Sequence, residues 1–291
     1  KGYVYFTASP ENATQKYLYR TKLNGKGKTE LINPEGLKGT HSYSVSPTGA
    51  FAMHSFSNSF TRPAVEYVTF PKLKPINATE SIAAKLSELQ ETPKVEFFKI
   101  TTVDNVEMDG WMVKPTNFDP SKKYPVVFYV YTEPAGTTVT DSYGAGMNRN
   151  YDGDMANDGY IYMSLDNRGT PAPKGREWRK SIYRNIGRIN IKDQAMAAKE
   201  ILKWDFVDPN RIAVWGHSGG GSATLNLMFQ YPEIYKTGIS LAAIANQLTY
   251  DNIYQERYMG LPQENLEDFV NGSPMTYAKN LEGNLLYIHG T

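Results

Sequence analysis

The pentapeptide Gly216-His217-Ser218-Gly219-Gly220 joins two runs of different character. Before it, Arg211-Ile212-Ala213-Val214-Trp215 has the apolar pattern of a buried strand, and after it Gly221 to Met228 reads as a helix. A chain that turns from strand to helix at a single serine must strain its backbone there and bring the strand close to the helix start. The residues two before and two after that serine therefore have to lack bulk, as Gly216 and Gly220 do. The first turn of such a helix also points unpaired N–H groups and a partial positive charge at whatever lies beside the serine. With 24 glycines in 291 residues, the pentapeptide alone arises by chance in roughly one chain in ten. Its setting between strand and helix gives it weight, against the plain alternative of a glycine-rich turn with an incidental serine.

The surrounding sequence fits one kind of fold. Past residue 94 a hairpin pattern (94–102 and 106–113, around Asp104-Asn105) gives way to apolar strand-like runs at 125–131, 160–165, 211–215, 237–241 and 285–288. Helical patterns at 191–204 and 219–229 separate them. Continuous apolar strands alternating with helices predict a mostly parallel sheet with helices on both faces. Residues 1–70 differ: six short strand patterns alternate with breaks such as Asn24-Gly25-Lys26-Gly27 and Ser46-Pro47-Thr48-Gly49, as in a sandwich, a barrel or a propeller blade. Residues 71–93 read as a connector with a short amphipathic stretch at 82–89. The chain opens directly in a strand pattern and ends on the strand run Leu285 to Ile288, which predicts a window on a longer protein.

Composition removes several functions. Lys plus Arg total 31 against 30 for Asp plus Glu, so no net field favours nucleic acid. No apolar run approaches the ~20 residues that span a bilayer. The absence of cysteine excludes disulfides, thiolate catalysis and zinc-thiolate sites. Four histidines without a metal-binding spacing give no reason to expect a metal or cofactor. The 21 tyrosines are the compositional outlier.

A serine needs a histidine to take its proton and a carboxylate to hold that histidine. After Ser218 the only histidine is His289 and the only aspartates are Asp251 and Asp268. His289 ends a core strand and reads as a turn histidine; His41, His54 and His217 read as structural too. Asp166 and Arg168 read as holding the loop after a strand.

Further stretches carry a resemblance. Asp166-Asn167-Arg168-Gly169, the run Phe206 to Trp215, the pentapeptide, Tyr250 to Pro262 and the ending Leu286 to Thr291 closely resemble the prolyl oligopeptidase family of serine peptidases, in its dipeptidyl peptidase IV branch. The resemblance covers roughly residues 95–291 and implies an α/β-hydrolase fold, cut short at its C-terminus over 94–291, with 1–70 as the terminal part of a β-propeller. It implies a peptide substrate, with Ser218 as nucleophile and an oxyanion held by the Tyr131 hydroxyl and the Gly219 N–H. It also implies Tyr250 and Tyr254 as walls of the pocket for proline, or a small residue, before the scissile bond. Spacing alone sets positions 250, 254 and 258 on one helical face, an aromatic stripe equally suited to core packing. The triad aspartate and histidine are expected beyond Thr291. The resemblance leaves room for a homodimer and implies a periplasmic, secreted or membrane-anchored whole protein. This sequence departs from the branch at Gly219, where tyrosine is common, and at Gln247, where tryptophan is common, which predicts a wider, less aromatic pocket. Two rivals stay open: a general esterase sharing the elbow chemistry, and a binding module without a complete triad.

Overall fold

Two antiparallel meanders fold from the first seventy residues. Strands β1 (Tyr3–Ala8), β2 (Tyr17–Lys22) and β3 (Glu30–Leu31) form one three-stranded sheet. A second consists of β4 (Thr40–Val45), β5 (Phe51–Asn58) and β6 (Thr61–Thr69). The structure is a computed structural model that describes residues 2–148 and 150–290. Strand β5 shows why the pattern folds this way: Ala52, His54, Phe56 and Asn58 alternate inward while Phe51 and Met53 face out, the period of two a half-buried strand requires. Leu18, Ala52, Val68 and Leu73 make one small core, and Leu37, Phe56 and Ile82 another. Residues 71–93 thus supply Leu73 and Ile82 to these cores, and they hold the one-turn helix α1 (Leu86–Leu89).

By contacts the chain divides into two compact units, residues 1–95 with 140–145, and residues 96–139 with 146–291. The short return at 140–145 joins the first unit through Asp141. Its carboxylate accepts from the Ser59 amide at 2.8 Å and Gln15 Nε2 at 2.7 Å, and its amide donates to the Thr14 carbonyl at 2.7 Å.

The second unit is built on a seven-stranded sheet. Its strands are β7 (Val95–Thr101), β8 (Glu107–Val113), β9 (Tyr124–Tyr129), β10 (Ile161–Asp166), β11 (Val207–His217), β12 (Thr237–Leu241) and β13 (Asn284–Ile288). They lie in the order β13-β12-β11-β9-β10-β8-β7. The last five in sequence are parallel, and β8 runs antiparallel to β10. Helices α2 (Arg176–Lys180), α3 (Ile189–Ile201), α4 (Gly219–Gln230), α5 (Asn252–Met259) and α6 (Pro262–Gly272) connect the later strands. Val126, Phe128, Met163, Leu165, Ile212 and Val214 of the sheet share one buried cluster with Ile191, Ala195 and Ala198 of α3 and with Leu225 and Leu227 of α4. The mostly parallel sheet with its helices is what the apolar runs predict, and the α/β-hydrolase fold, preceded by strands of the propeller type, is what the resemblance implies. Its strand order reverses between β9 and β11, and such a switch point opens a crevice at the carboxyl ends of the two strands. Tyr131 follows one of those ends and Ser218 the other.

Candidate active site

Ser218 sits between β11 and α4 with φ +58° and ψ −120°. A non-glycine residue in that region is strained, and it persists only where its surroundings fix it. Here its amide donates to the Leu241 carbonyl at 2.8 Å and its carbonyl accepts from the Ser222 amide at 3.0 Å. The glycines do what the spacing requires. A Cβ on Gly220 would lie 2.2 Å from the Val130 carbonyl oxygen, and one on Gly216 would lie 2.4 Å from the same atom and 2.5 Å from Gly220. Ser218 occupies the N-cap position of α4 without a capping side-chain hydrogen bond, so its hydroxyl is not used in holding the helix. The first intrahelical acceptor is the Ser218 carbonyl, which leaves the Gly219, Gly220 and Gly221 N–H groups without helical partners.

The end of β9 is pressed against this elbow. A Cβ on Gly220 would stand 3.3 Å from the Tyr131 Cα, so the Tyr131 backbone borders the start of α4. Burial holds the Tyr131 phenol above its ordinary pKa, reinforced by Glu133, then Tyr250 and Tyr129. Thr132 takes φ +67°. It is fixed by Asn190 Nδ2 donating to its Oγ1 at 3.0 Å and Asn167 Nδ2 donating to its carbonyl at 3.1 Å. Gln194 Nε2 in turn donates to Asn167 Oδ1 at 3.0 Å. The loop Asp166 to Gly169 is structural, as its composition indicates: Arg168 grips Asp193 at 2.6 and 3.0 Å, and Asp166 accepts from the Thr138 and Val139 amides.

Glu133 is a site residue that sequence reasoning misses. It is 3% exposed. Burial pushes its pKa up to about 7, although a hydrogen bond from the Tyr254 hydroxyl pulls it down. It corrects the expectation of a widened pocket at Gly219. A Cβ there would meet Glu133 Cγ at 2.1 Å, so the space a side chain at 219 would use is filled from 133. Gln247, the other departure, is buried and paired, with Gln255 Nε2 donating to its Oε1 at 2.6 Å.

Tyr250 lies just before the N-cap of α5, where the Asp251 carboxylate accepts from the Tyr254 amide at 2.9 Å. The stripe is real nonetheless: the Tyr250 and Tyr254 rings meet edge-on at 5.4 Å and Tyr254 and Tyr258 at 4.9 Å. Tyr254 and Tyr258 also pack on Ile182, Ile186, Met259 and Phe269, so core packing and the site share these side chains. Burial, followed by Glu133, raises the Tyr254 pKa. Ser218, Gly219, Tyr131, Tyr250 and Tyr254 thus all lie around the carboxyl ends of β9 and β11, in one unit.

No histidine hydrogen-bonds to Ser218 among the described residues. His289 contacts the Ala243 carbonyl at 3.2 Å, His217 is exposed, and His41 and His54 are buried in the first unit. Among the described residues no cluster could hold a metal ion and no helix is long and apolar enough to cross a membrane.

Known proteins match over the whole chain. Residues 154–291 match the family model of the prolyl oligopeptidase family, and residues 1–63 match that of the dipeptidyl peptidase IV N-terminal region. Dipeptidyl peptidase 4 of Trichophyton rubrum is 30% identical over 100% of this chain and 38% of its own length. A probable dipeptidyl-aminopeptidase B of Metarhizium robertsii is 30% identical over 99% of this chain and 32% of its own. The crystal structure of Porphyromonas gingivalis dipeptidyl peptidase 4 superposes with a TM-score of 0.84 at 30% identity, over 98% of this chain and 40% of that one. The chain therefore spans between about a third and two fifths of the length of these relatives. With both regions matched in that order on an α/β-hydrolase fold, the chain belongs to the prolyl oligopeptidase family, in its dipeptidyl peptidase IV branch.

Proposed function

We propose that the full-length protein is a serine peptidase of the dipeptidyl peptidase IV type that cleaves peptides through an acyl-enzyme on Ser218. The strained backbone of Ser218 between β11 and α4 is the observation that carries this reading, because it presents an uncommitted hydroxyl beside free helix-start N–H groups. Ser218 Oγ attacks the scissile carbonyl, and the resulting oxyanion is held by the Gly219 N–H and the Tyr131 hydroxyl. The amine leaves with a proton from the base, and water then hydrolyses the ester on Ser218. Tyr250 and Tyr254 border the side chain before the scissile bond, proline or a small residue. The base and its orienting acid are taken from outside residues 1–291. A homodimer of the full-length protein belongs to the same proposal.

The test compares an Xaa-Pro or Xaa-Ala anilide with a short-chain ester on the full-length protein and on Ser218→Ala. Peptide cleavage that drops by on the order of 10⁶-fold in Ser218→Ala is expected. Selective ester cleavage without peptide cleavage would favour the esterase rival, and neither activity would favour a binding module.

A further inference from the structure

Three observations converge on Glu133. Its Cγ stands where a side chain on the residue after the nucleophile would project, 2.1 Å from a Cβ built on Gly219. Its Oε2 accepts from the hydroxyl of Tyr254, whose ring meets that of Tyr250. The preceding residue, Thr132, is held at positive φ by Asn190 and Asn167, so the backbone that aims Glu133 is both strained and anchored. A carboxyl is costly to bury and a left-handed threonine is uncommon, and both occur within two residues of Tyr131.

We propose, building on the peptidase reading, that Glu133 is a specificity-determining residue: its carboxyl forms a polar wall for the side chain before the scissile bond and selects small side chains that carry a hydrogen-bond donor, threonine and serine, over apolar ones of equal size. The restriction on size follows from volume, since Glu133 fills the space that Gly219 leaves. The preference for a donor follows from the carboxyl oxygens. In a buried site an acceptor facing a methyl group loses its hydration without replacement, whereas one facing a hydroxyl is satisfied. With burial setting its pKa near neutrality, protonated and ionised forms coexist, and both keep lone pairs for a hydroxyl. A lysine at that position would have to lose its hydration against a carboxyl already bonded to Tyr254, which disfavours it.

Threonine and valine differ by a hydroxyl for a methyl at nearly the same volume, so they isolate the polarity of the wall. On the full-length protein, kcat/KM for a Gly-Thr anilide should exceed that for a Gly-Val anilide by about tenfold, the scale of one charge-assisted hydrogen bond. Glu133→Leu should bring the ratio to one or below, while Glu133→Gln, which keeps the shape and an acceptor oxygen, should preserve most of it. A wild-type ratio at or below one, a ratio unchanged in Glu133→Leu, or lysine preferred to threonine overturns the proposal. If Glu133→Leu does not fold, Glu133→Met, unbranched like glutamate and without a carboxyl or amide oxygen, takes its place and should likewise bring the ratio to one or below. Gly-Thr and Gly-Val methyl esters are measured in parallel. A threonine preference on esters with no anilide cleavage would overturn the peptidase reading while sustaining the role of Glu133, and equal rates on cleaved anilides would overturn Glu133 alone.

Discussion

Tyr131 follows β9, and its backbone is pressed against the start of the helix that Ser218 caps, so its hydroxyl can only serve the nucleophile if that packing fixes it. A hydroxyl placed to meet an oxyanion acts in the transition state and not in the bound substrate, so its loss lowers kcat more than it alters KM. Tyr131→Phe in the full-length protein is expected to lose on the order of 10²- to 10³-fold in kcat with KM little changed. A change confined to KM would instead make Tyr131 a packing residue. The sequence makes Ser218 and the two glycines legible because the local chain dictates them: a serine forced to positive φ needs Gly216 and Gly220 within two residues of it, whereas Tyr131 is pointed to by the family resemblance alone. Glu133 is not legible in the same way. Its position rests on a contact between residues 133 and 219, far apart in sequence, and an acid followed by proline reads as part of an ordinary surface turn. The one local signal is the absence of a side chain at 219, which suggests open space until the neighbour that fills it is known.

At the scale of elements, the strands and helices of the second unit follow from apolar runs bounded by turns, and β9 to β12 fold close to where those runs lie. Two features escape that logic. The return of residues 140–145 to the first unit rests on one aspartate satisfying amides from two distant segments, which no periodicity encodes. The alternation of β5 carries His54 inward as though it were apolar. The burial of His54 is resolved by a chain of hydrogen bonds. His41 Nε2 donates to the Leu37 carbonyl at 2.9 Å, His54 Nε2 and His41 Nδ1 meet at 2.9 Å, and His54 Nδ1 meets Glu66 Oε1 at 2.7 Å. Burial lowers the His41 pKa to about 4. Burial alone would raise the pKa of Glu66, but the bonds from His54 and the Ile82 amide outweigh it, and the net shift is downward. Both shifts act on stability with the same sign. Between about pH 6.5 and 4 the unfolded chain takes up a proton at His41 that the folded unit refuses, and as pH falls through the ordinary carboxylate range it takes up another at Glu66. The first unit should therefore lose stability as pH drops from about 6.5 to 4, by a few kcal/mol, whereas the buried Glu133 carboxyl of the second unit, with its pKa raised to about 7, acts in the opposite sense there. Thermal melts of the wild type and His41→Asn at pH 7, 6, 5 and 4.5 separate the two, because the difference between the variants carries only the His41 contribution and should shrink as pH falls. A difference between wild type and His41→Asn that does not change with pH would contradict it.

For the molecule as a whole, the feature with the largest consequence is the margin of the sheet. Strand β13 is terminal in the strand order and pairs through one side only, with β12. Its outer residues are apolar and open: Leu286, Tyr287 and Ile288 are 54%, 47% and 42% exposed. Natural sheets protect such margins with charge, proline, a bulge or a covering element, and none of the five residues of β13 is charged or proline. Nor does global electrostatics hold copies apart, because a formal net charge of +1 gives almost no mutual repulsion. Residues 1–291 produced alone should therefore associate through β13, giving dimers or larger species at tens of micromolar, the range in which unpaired strand edges become adhesive. Light scattering coupled to size exclusion would measure this. Leu286→Lys should return the protein to a monomer without changing its circular dichroism, since a lysine at this exposed position disturbs no buried contact. A wild-type chain that stays monomeric at that concentration, or association indifferent to Leu286→Lys, would show that the margin is protected by some other means.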